Sequence, residues 1–414
     1  MKGPWDEYGK LSKAEKSTLA GTFLGWMLDG MDVMLFSFVM PTLIVLWGMS
    51  QGEAGLLGTT TLLFSAFGGW IAGLAADRYG RVKVLQITIV WFSLFTFLSG
   101  FTNSFFELMI TRSLQGLGFG GEWAVGSVLI AETIRARHRG KGVGFVQSGW
   151  AIGWGIAAVF YTLLFSNLEH EIAWRIMFWI GLLPGLLVFF IRRHVPESVV
   201  FTRNDRLKRE EKKSRGGLQI FSRQMLRTTV LASILSLGAQ GGYYAITTWL
   251  PLFLRTTRDL SVMTTGSNLF VVVTGSFIGY LTAAYLADRA GRRRTLIIFA
   301  AMSFVTVCLY MGLNLTDQQI MLMGFPLGFF ASGVFSPIGS FFTELFPTRM
   351  RGSGQGFSYN LGRGAGALFP AFVGFLSTKI ALQFAIGVFA GSAYLLMIVA
   401  TLMLPETSGR ELSD

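Results

Sequence analysis

Gly73-Leu74-Ala75-Ala76-Asp77-Arg78-Tyr79-Gly80-Arg81 is written twice in this chain, its core returning as Leu286-Ala287-Asp288-Arg289-Ala290-Gly291-Arg292. Each copy closes one apolar run and opens the next, so each reads as a tight polar turn between two helices. Two further matches keep the same spacing. Glu132 followed by Arg139-Gly140-Lys141-Gly142 returns as Glu344 followed by Arg351-Gly352-Ser353-Gly354. Pro196-Glu197-Ser198 returns as Pro405-Glu406-Thr407. Three matches at one offset of about 210 residues make the chain an internal duplication, its halves in the same orientation.

The runs between these turns are too apolar for a soluble protein. Of 414 residues 52% are apolar and 14% charged, with a mean hydropathy of +0.53. Soluble chains carry about 25% charged residues. At about 20 apolar residues per helical crossing, the length accommodates roughly a dozen spans. Reading between charged punctuation places them at 18–47, 54–75, 84–103, 106–131, 142–165 and 173–192, then 228–254, 266–287, 295–314, 320–343, 354–376 and 380–404. The expected organisation is a tail (1–17), a six-helix bundle (18–192), a linker (193–227), a second bundle (228–404) and a short tail (405–414). The linker is rich in Lys and Arg, poor in large apolar residues, and reads as solvated.

A net charge of +12 raises nucleic acid as a partner. The positions of the bases answer otherwise. Most Lys and Arg fall in the tails, the linker and the loops on the side of the repeated turn, as the positive-inside rule places them. Both termini are thus expected in the cytoplasm, and the partner is a lipid bilayer rather than nucleic acid. The only cysteine, Cys308, lies in an apolar run, so no disulfide framework forms within the chain. His138, His170 and His194 lack metal-ligand spacing. No nucleophile, metal or cofactor constellation emerges, so an enzyme is not expected. The N-terminal apolar run holds two aspartates and is too long for a signal core.

Taken together, the repeated DRxGR-type turn, RxxQGxGxGGE (Arg112 to Glu122) and ELFPTxxRGxG (Glu344 to Gly354) resemble the major facilitator superfamily over the whole chain. That resemblance implies an all-α membrane protein: twelve transmembrane helices in two pseudo-symmetric six-helix halves. It implies a binding site near the midplane between the halves and transport by rocking of one half against the other. Leu28-Asp29-Gly30-Met31-Asp32 is similar to the DGxD of aromatic acid:proton symporters. Gln115 to Trp123 and Gly241 to Pro251 are more similar to sialate- and metabolite-type proton symporters. Both groups move organic anions with protons.

Five ionisable residues sit well inside expected spans: Asp29, Asp32, Arg112, Glu122 and Arg363. A lone charge at the bilayer centre costs at least ~2.5–3.5 kcal/mol, so these must pair or line a wet cavity. Asp29 and Asp32, three residues apart, share a helix face with Trp26 and Phe36. Such carboxylates suit proton uptake on one side and release on the other. Arg112 stays charged and serves as their switchable counter-ion. Arg112, Gln115, Phe119 and Glu122 recur at helical spacing along one stripe. Glu122 either relays protons or ties its helix to a neighbour.

Arg363 follows Tyr359 and Asn360 in the opposite half. A planar guanidinium in a dry cavity holds a carboxylate with two parallel bonds, which makes Arg363 the expected substrate anchor. Gln240, Tyr243 and Tyr244 in span seven, with Gln147 and Trp150 in span five, are the expected cavity lining. Gly116-x-Gly118-x-x-Gly121 formally matches a dinucleotide fingerprint. It lies inside an apolar helix with no preceding strand and reads as close helix packing. Gly73, Asp77, Arg81, Glu132 and Arg139, with Asp288, Arg292, Glu344 and Arg351, form an expected cytoplasmic gate. In it an Asp caps a helix or pairs with Arg, and the contacts break when the protein opens inward.

The function expected from these residues is proton-coupled import of a small organic anion, a carboxylate, with no cofactor beyond the proton. The protein works as a monomer in a bacterial inner membrane. A uniporter or a proton-exchanging exporter fits the same residues. A ligand sensor would need an output domain for which the tails leave little room.

Overall fold

The computed structural model describes residues 11–133, 136–195, 197, 220–347 and 350–407. The side chains of Asp77, Glu132, Arg139 and Arg351 lie outside the described set, as does most of the linker. Twelve helical spans are described, numbered α1 to α12. The first half holds α1 (Lys13–Trp47), α2 (Gln51–Tyr79), α3 (Arg81–Ser99), α4 (Phe105–Thr133) and α5 (Ala136–Asn167). Its last span, α6, comes in two pieces, His170–Ile180 and Leu183–His194. The second half holds α7 (Leu226–Leu252), α8 (Val262–Ala290), α9 (Arg292–Gly312) and α12 (Leu382–Met403). Between them lie α10 (Asp317–Gly333 with Phe335–Leu345) and α11 (Arg351–Gly366 with Phe369–Ser377), both broken.

Local chemistry sets the ends. α1 begins at Lys13, earlier than hydropathy alone places it, because Ser12 and Glu15 close a reciprocal capping box. The Ser12 amide donates to Glu15 Oε2 at 2.8 Å, and the Glu15 amide to Ser12 Oγ at 3.2 Å. Ser50 with Glu53 starts α2 and Thr316 with Gln319 starts α10 by the same device. In the repeated turn Gly80 has φ 104° and Gly291 φ 101°. A side chain rarely adopts that conformation, which accounts for glycine at both copies.

Glycine also lets helix backbones meet. A Cβ at Gly68 would run into the Leu117 carbonyl, and one at Gly120 into that of Ser65, so α2 and α4 touch main chain to main chain. The second half repeats this between α8 and α10, where Gly279 backs onto the Phe329 carbonyl and Gly328 onto that of Val272. Without a hydrophobic drive between helices in lipid, such close approach supplies the attraction. Gly118 and Gly121 pack against Thr88 of α3, so the formal dinucleotide fingerprint is a helix-packing surface.

Outward faces carry large apolar side chains, among them Trp70 (66% exposed) and Phe189 (73%). Such faces belong in hydrocarbon. Nine of the described helices are long and apolar enough to cross a membrane. The spans outside that set are α4, α7 and α11, which carry Arg112, Gln115 and Glu122; Gln240, Tyr243 and Tyr244; and Tyr359, Asn360 and Arg363. Their lower hydropathy reflects the polar groups they bring to the centre.

The halves meet along two seams. In one, α5 packs on α8, with Gly155 against Val273 and Gly266 against Thr162. In the other, α2 packs on α11. The Ala371 amide donates to Thr59 Oγ1 at 3.1 Å, and a Cβ at Gly52 would lie 2.8 Å from the Phe375 ring. Nearer the terminal face Gly69 still touches Asn360, but one turn further Gly73 and Gly356 each face open space. The α2–α11 seam is therefore closed away from the termini and parted toward them.

Candidate functional site

Asp29, Asp32, Arg112, Glu122 and Arg363 are all buried, each at most 4% exposed. The structure gathers them into one column where α1 and α4 face α11. Gly25 opens the place for Glu122, because a Cβ there would collide with the Glu122 carboxylate. Glu122 therefore lies against α1, one helical turn from Asp29. Asp29 faces Glu122 of α4, Asp32 of its own helix and the Arg363 guanidinium of α11. Asp32 faces Arg112 and accepts a hydrogen bond from Gln115 Nε2.

Neither arginine is locked into an ion pair with these acids. The ion pairs recorded among the described residues join Arg292 to Asp288 and Glu344, far from the column. Arg112 instead lies over the Phe36 ring, 4.8 Å from its centroid, and Arg363 over the Phe119 ring at 4.4 Å. Among the described residues Nε and Nη1 of both arginines have no hydrogen-bond partner, nor have both carboxylate oxygens of Asp29. Two desolvated guanidiniums, each set over a ring, keep N–H groups available.

An aromatic wall adjoins Arg363. Phe119 lies 6.1 Å from Trp150, which lies 4.9 Å from Trp26. Trp150 Nε1 donates to the Tyr243 hydroxyl at 2.7 Å, joining the halves at the centre. Tyr244 and Tyr359 both face Arg363. The Tyr244 hydroxyl donates to Gln240 Oε1 at 3.2 Å, while Gln240 Nε2 donates to the Tyr359 carbonyl at 3.1 Å. Gln147 is buried one turn before Trp150, its Oε1 without a partner among the described residues. Asn360 is turned toward Gly69 on the α2 seam instead of toward the wall. Phe36 and Phe119 as cation platforms are absent from the sequence reading. Phe36 stands at helical spacing to Asp32 on α1 and Phe119 to Arg112 on α4, but each ring underlies an arginine of a different helix, so the pairing depends on packing between helices.

At the terminal face two glutamates outside the expected gate also hold the turn motifs. Glu197 Oε1 accepts from the Arg81 amide at 3.0 Å, and its Oε2 from the Val82 amide at 3.2 Å. Glu406 Oε1 accepts from the amides of Arg292 at 3.0 Å and Arg293 at 3.3 Å. Each carboxylate thus caps the helix that follows the turn, where orphan amides and the helix dipole favour negative charge. The repeated Pro-Glu pair is the sequence signal for both. Asp288 pairs with Arg292 at 3.1 Å, and Glu344 with Arg292 at 3.2 Å while accepting from Thr407 Oγ1 at 2.5 Å. Asp77, Glu132, Arg139 and Arg351 of the expected gate lie, by side chain, outside the described residues.

Two like-oriented six-helix halves with a buried, charged site between them define a secondary-transporter architecture. The family model described as Major Facilitator Superfamily matches residues 22–316 and 261–413. This chain belongs to the major facilitator superfamily: it is a membrane transporter and not an enzyme. It is 45% identical to a protein of Cupriavidus pinatubonensis named a probable 4-methylmuconolactone transporter, over 96% of this chain and 92% of that one. It is 30% identical to the cis,cis-muconate transport protein of Acinetobacter baylyi, over 93% of each. The crystal structure of a D-xylose-proton symporter superposes with a TM-score of 0.75 at 20% identity, over 96% of this chain and all of that one, and shares the fold.

Proposed function

We propose that this transporter imports a small organic carboxylate together with protons, by alternating access of its two halves. The observation that carries the reading is Arg363. It is a buried guanidinium at the interface, set on the Phe119 ring and facing Asp29 of the other half. A substrate carboxylate can approach its free N–H edge bidentately, the geometry in which charge-assisted bonds are strongest. The aromatic wall of Phe119, Trp150 and Trp26 then takes the flat body of the acid. The names of the two relatives, a muconolactone and a muconate transporter, fit an unsaturated organic acid.

Coupling follows from charge. Once a substrate carboxylate neutralises Arg363, Asp29 loses its counter-charge while still facing Glu122 and Asp32. A proton from the outer water then settles on the Asp29–Glu122 pair, and Arg112 and Asp32 complete the balance at the other end of the column. The halves rock, the seam toward the termini opens, and proton and substrate leave together. Re-forming the Asp29–Arg363 attraction across the interface resets the empty carrier. No cofactor beyond the proton is required, and one chain contains the whole site. We place the protein in a bacterial inner membrane with both termini in the cytoplasm.

The test is uptake of labelled carboxylates into proteoliposomes with and without an imposed proton gradient. Accumulation should appear only with acid outside. Arg363→Gln should abolish it, and Asp29→Asn should leave downhill exchange without accumulation. Accumulation driven by an outward substrate-for-proton exchange would instead identify an exporter.

A further inference from the structure

Arg112 is a second buried guanidinium, and the carboxylate anchor at Arg363 leaves it without a substrate role. Its surroundings repeat those of Arg363. Each guanidinium rests on one ring, Phe36 or Phe119. Each faces one aspartate of α1: Arg112 faces Asp32, and Arg363 faces Asp29. Neither closes an ion pair among the described residues, and both keep Nε and Nη1 unpartnered. Burying a guanidinium without hydrogen-bond partners is costly, and fixing α4 to α1 needs only the contact with the Phe36 ring.

The spacing is as telling as the chemistry. Arg112 and Phe119 are seven residues apart on α4, so they share a face about 10 Å apart along the axis. Arg363 sits on Phe119. The two N–H edges therefore stand at the two ends of one stripe, with Gln115 between them held to Asp32.

We propose that the site takes a two-headed acid: one carboxylate on Arg363, and a second oxygen head, carboxylate or lactone carbonyl, on Arg112. The flat body of the acid lies along the Phe119–Trp150 wall. This rests on Arg363 being the carboxylate anchor, and it adds that Arg112 sets the substrate class. Each head displaces one aspartate from its arginine, which gives the two acids of Asp29-Gly30-Met31-Asp32 parallel duties.

Calorimetric binding to the purified full-length protein separates the ideas, using muconate, a muconolactone and sorbate, the last with muconate's carbon skeleton but one carboxylate. At least one two-headed acid should bind about tenfold or more tighter than sorbate, as one added charge-assisted bidentate contact implies. In Arg112→Gln that ratio should collapse to near one. Arg112→Lys, which keeps the charge but not the fork, should lose most of the preference and serves if the Gln variant does not fold. Equal affinities for all three acids in the wild-type protein overturn the proposal, and so does an unchanged ratio in Arg112→Gln. If Arg363→Gln binds sorbate as tightly as wild type, the anchor reading fails instead.

Discussion

At Gly25 the absence of a side chain admits the Glu122 carboxylate to the neighbourhood of Asp29. Nothing in the local sequence marks that glycine apart from the many that pack helices. Gly25→Ala should push Glu122 aside and break the carboxylate pair. Proton-driven accumulation should then fall several-fold, while substrate counterflow, which needs no net proton movement, persists in the same vesicles. Phe119 acts through its ring. Phe119→Leu keeps an apolar side chain but removes the cation–π contact under Arg363, worth about 0.5–2 kcal/mol. Carboxylate affinity should weaken by roughly two- to thirtyfold, read as a dissociation constant. The charged residues themselves were legible from sequence, because a charge inside an apolar span has few innocent explanations. Their partners were not, because Phe119, Gly25 and Asp29 come together only when α1, α4 and α11 pack.

Among the elements, the repeated turn repays comparison of its two copies. The glycine of each has φ near +100°, and each following helix is capped by a glutamate from the end of its own half, Glu197 or Glu406. Gly291→Ala should cost roughly 1–3 kcal/mol from backbone strain. Its Cβ would also lie 2.6 Å from Glu406 Oε2 and disturb the cap. A lowered thermal midpoint of the purified protein, matched by a smaller fall for Glu406→Gln, is the expected result. The Pro-Glu repeat is visible in the sequence as a repeat and nothing more. Its function appears only when the last span of each half returns beside the turn between its second and third. The three spans of weaker hydropathy, α4, α7 and α11, are the ones that supply the polar centre.

For the whole molecule, the α2–α11 seam is closed away from the termini and open toward them, so transport requires this seam to invert. Gly55 lies in the closed part, where a Cβ would come within 3.0 Å of Ala371 Cα. Gly55→Leu should wedge it apart, and a cysteine placed at Thr59 should then react faster with an impermeant thiol reagent added on the side opposite the termini. The pH dependence has a definite sign. In the proposed coupling a proton occupies the Asp29–Glu122 pair as substrate enters, so uptake at fixed internal pH should rise as external pH falls, and a protonophore should abolish it. The amino-acid order by itself determined the number of the spans and the duplication into halves. It also set the identity of the intramembrane charges, because hydrocarbon leaves few ways to satisfy a backbone or a charge. Only the tertiary structure decided which acid faces which arginine, which ring lies beneath each guanidinium, and which seam is shut. Those relations join different helices, Arg363 to Phe119 and Asp29 across the halves and Arg112 to Phe36 and Asp32 within the first, and they exist only once helices far apart in the chain have packed.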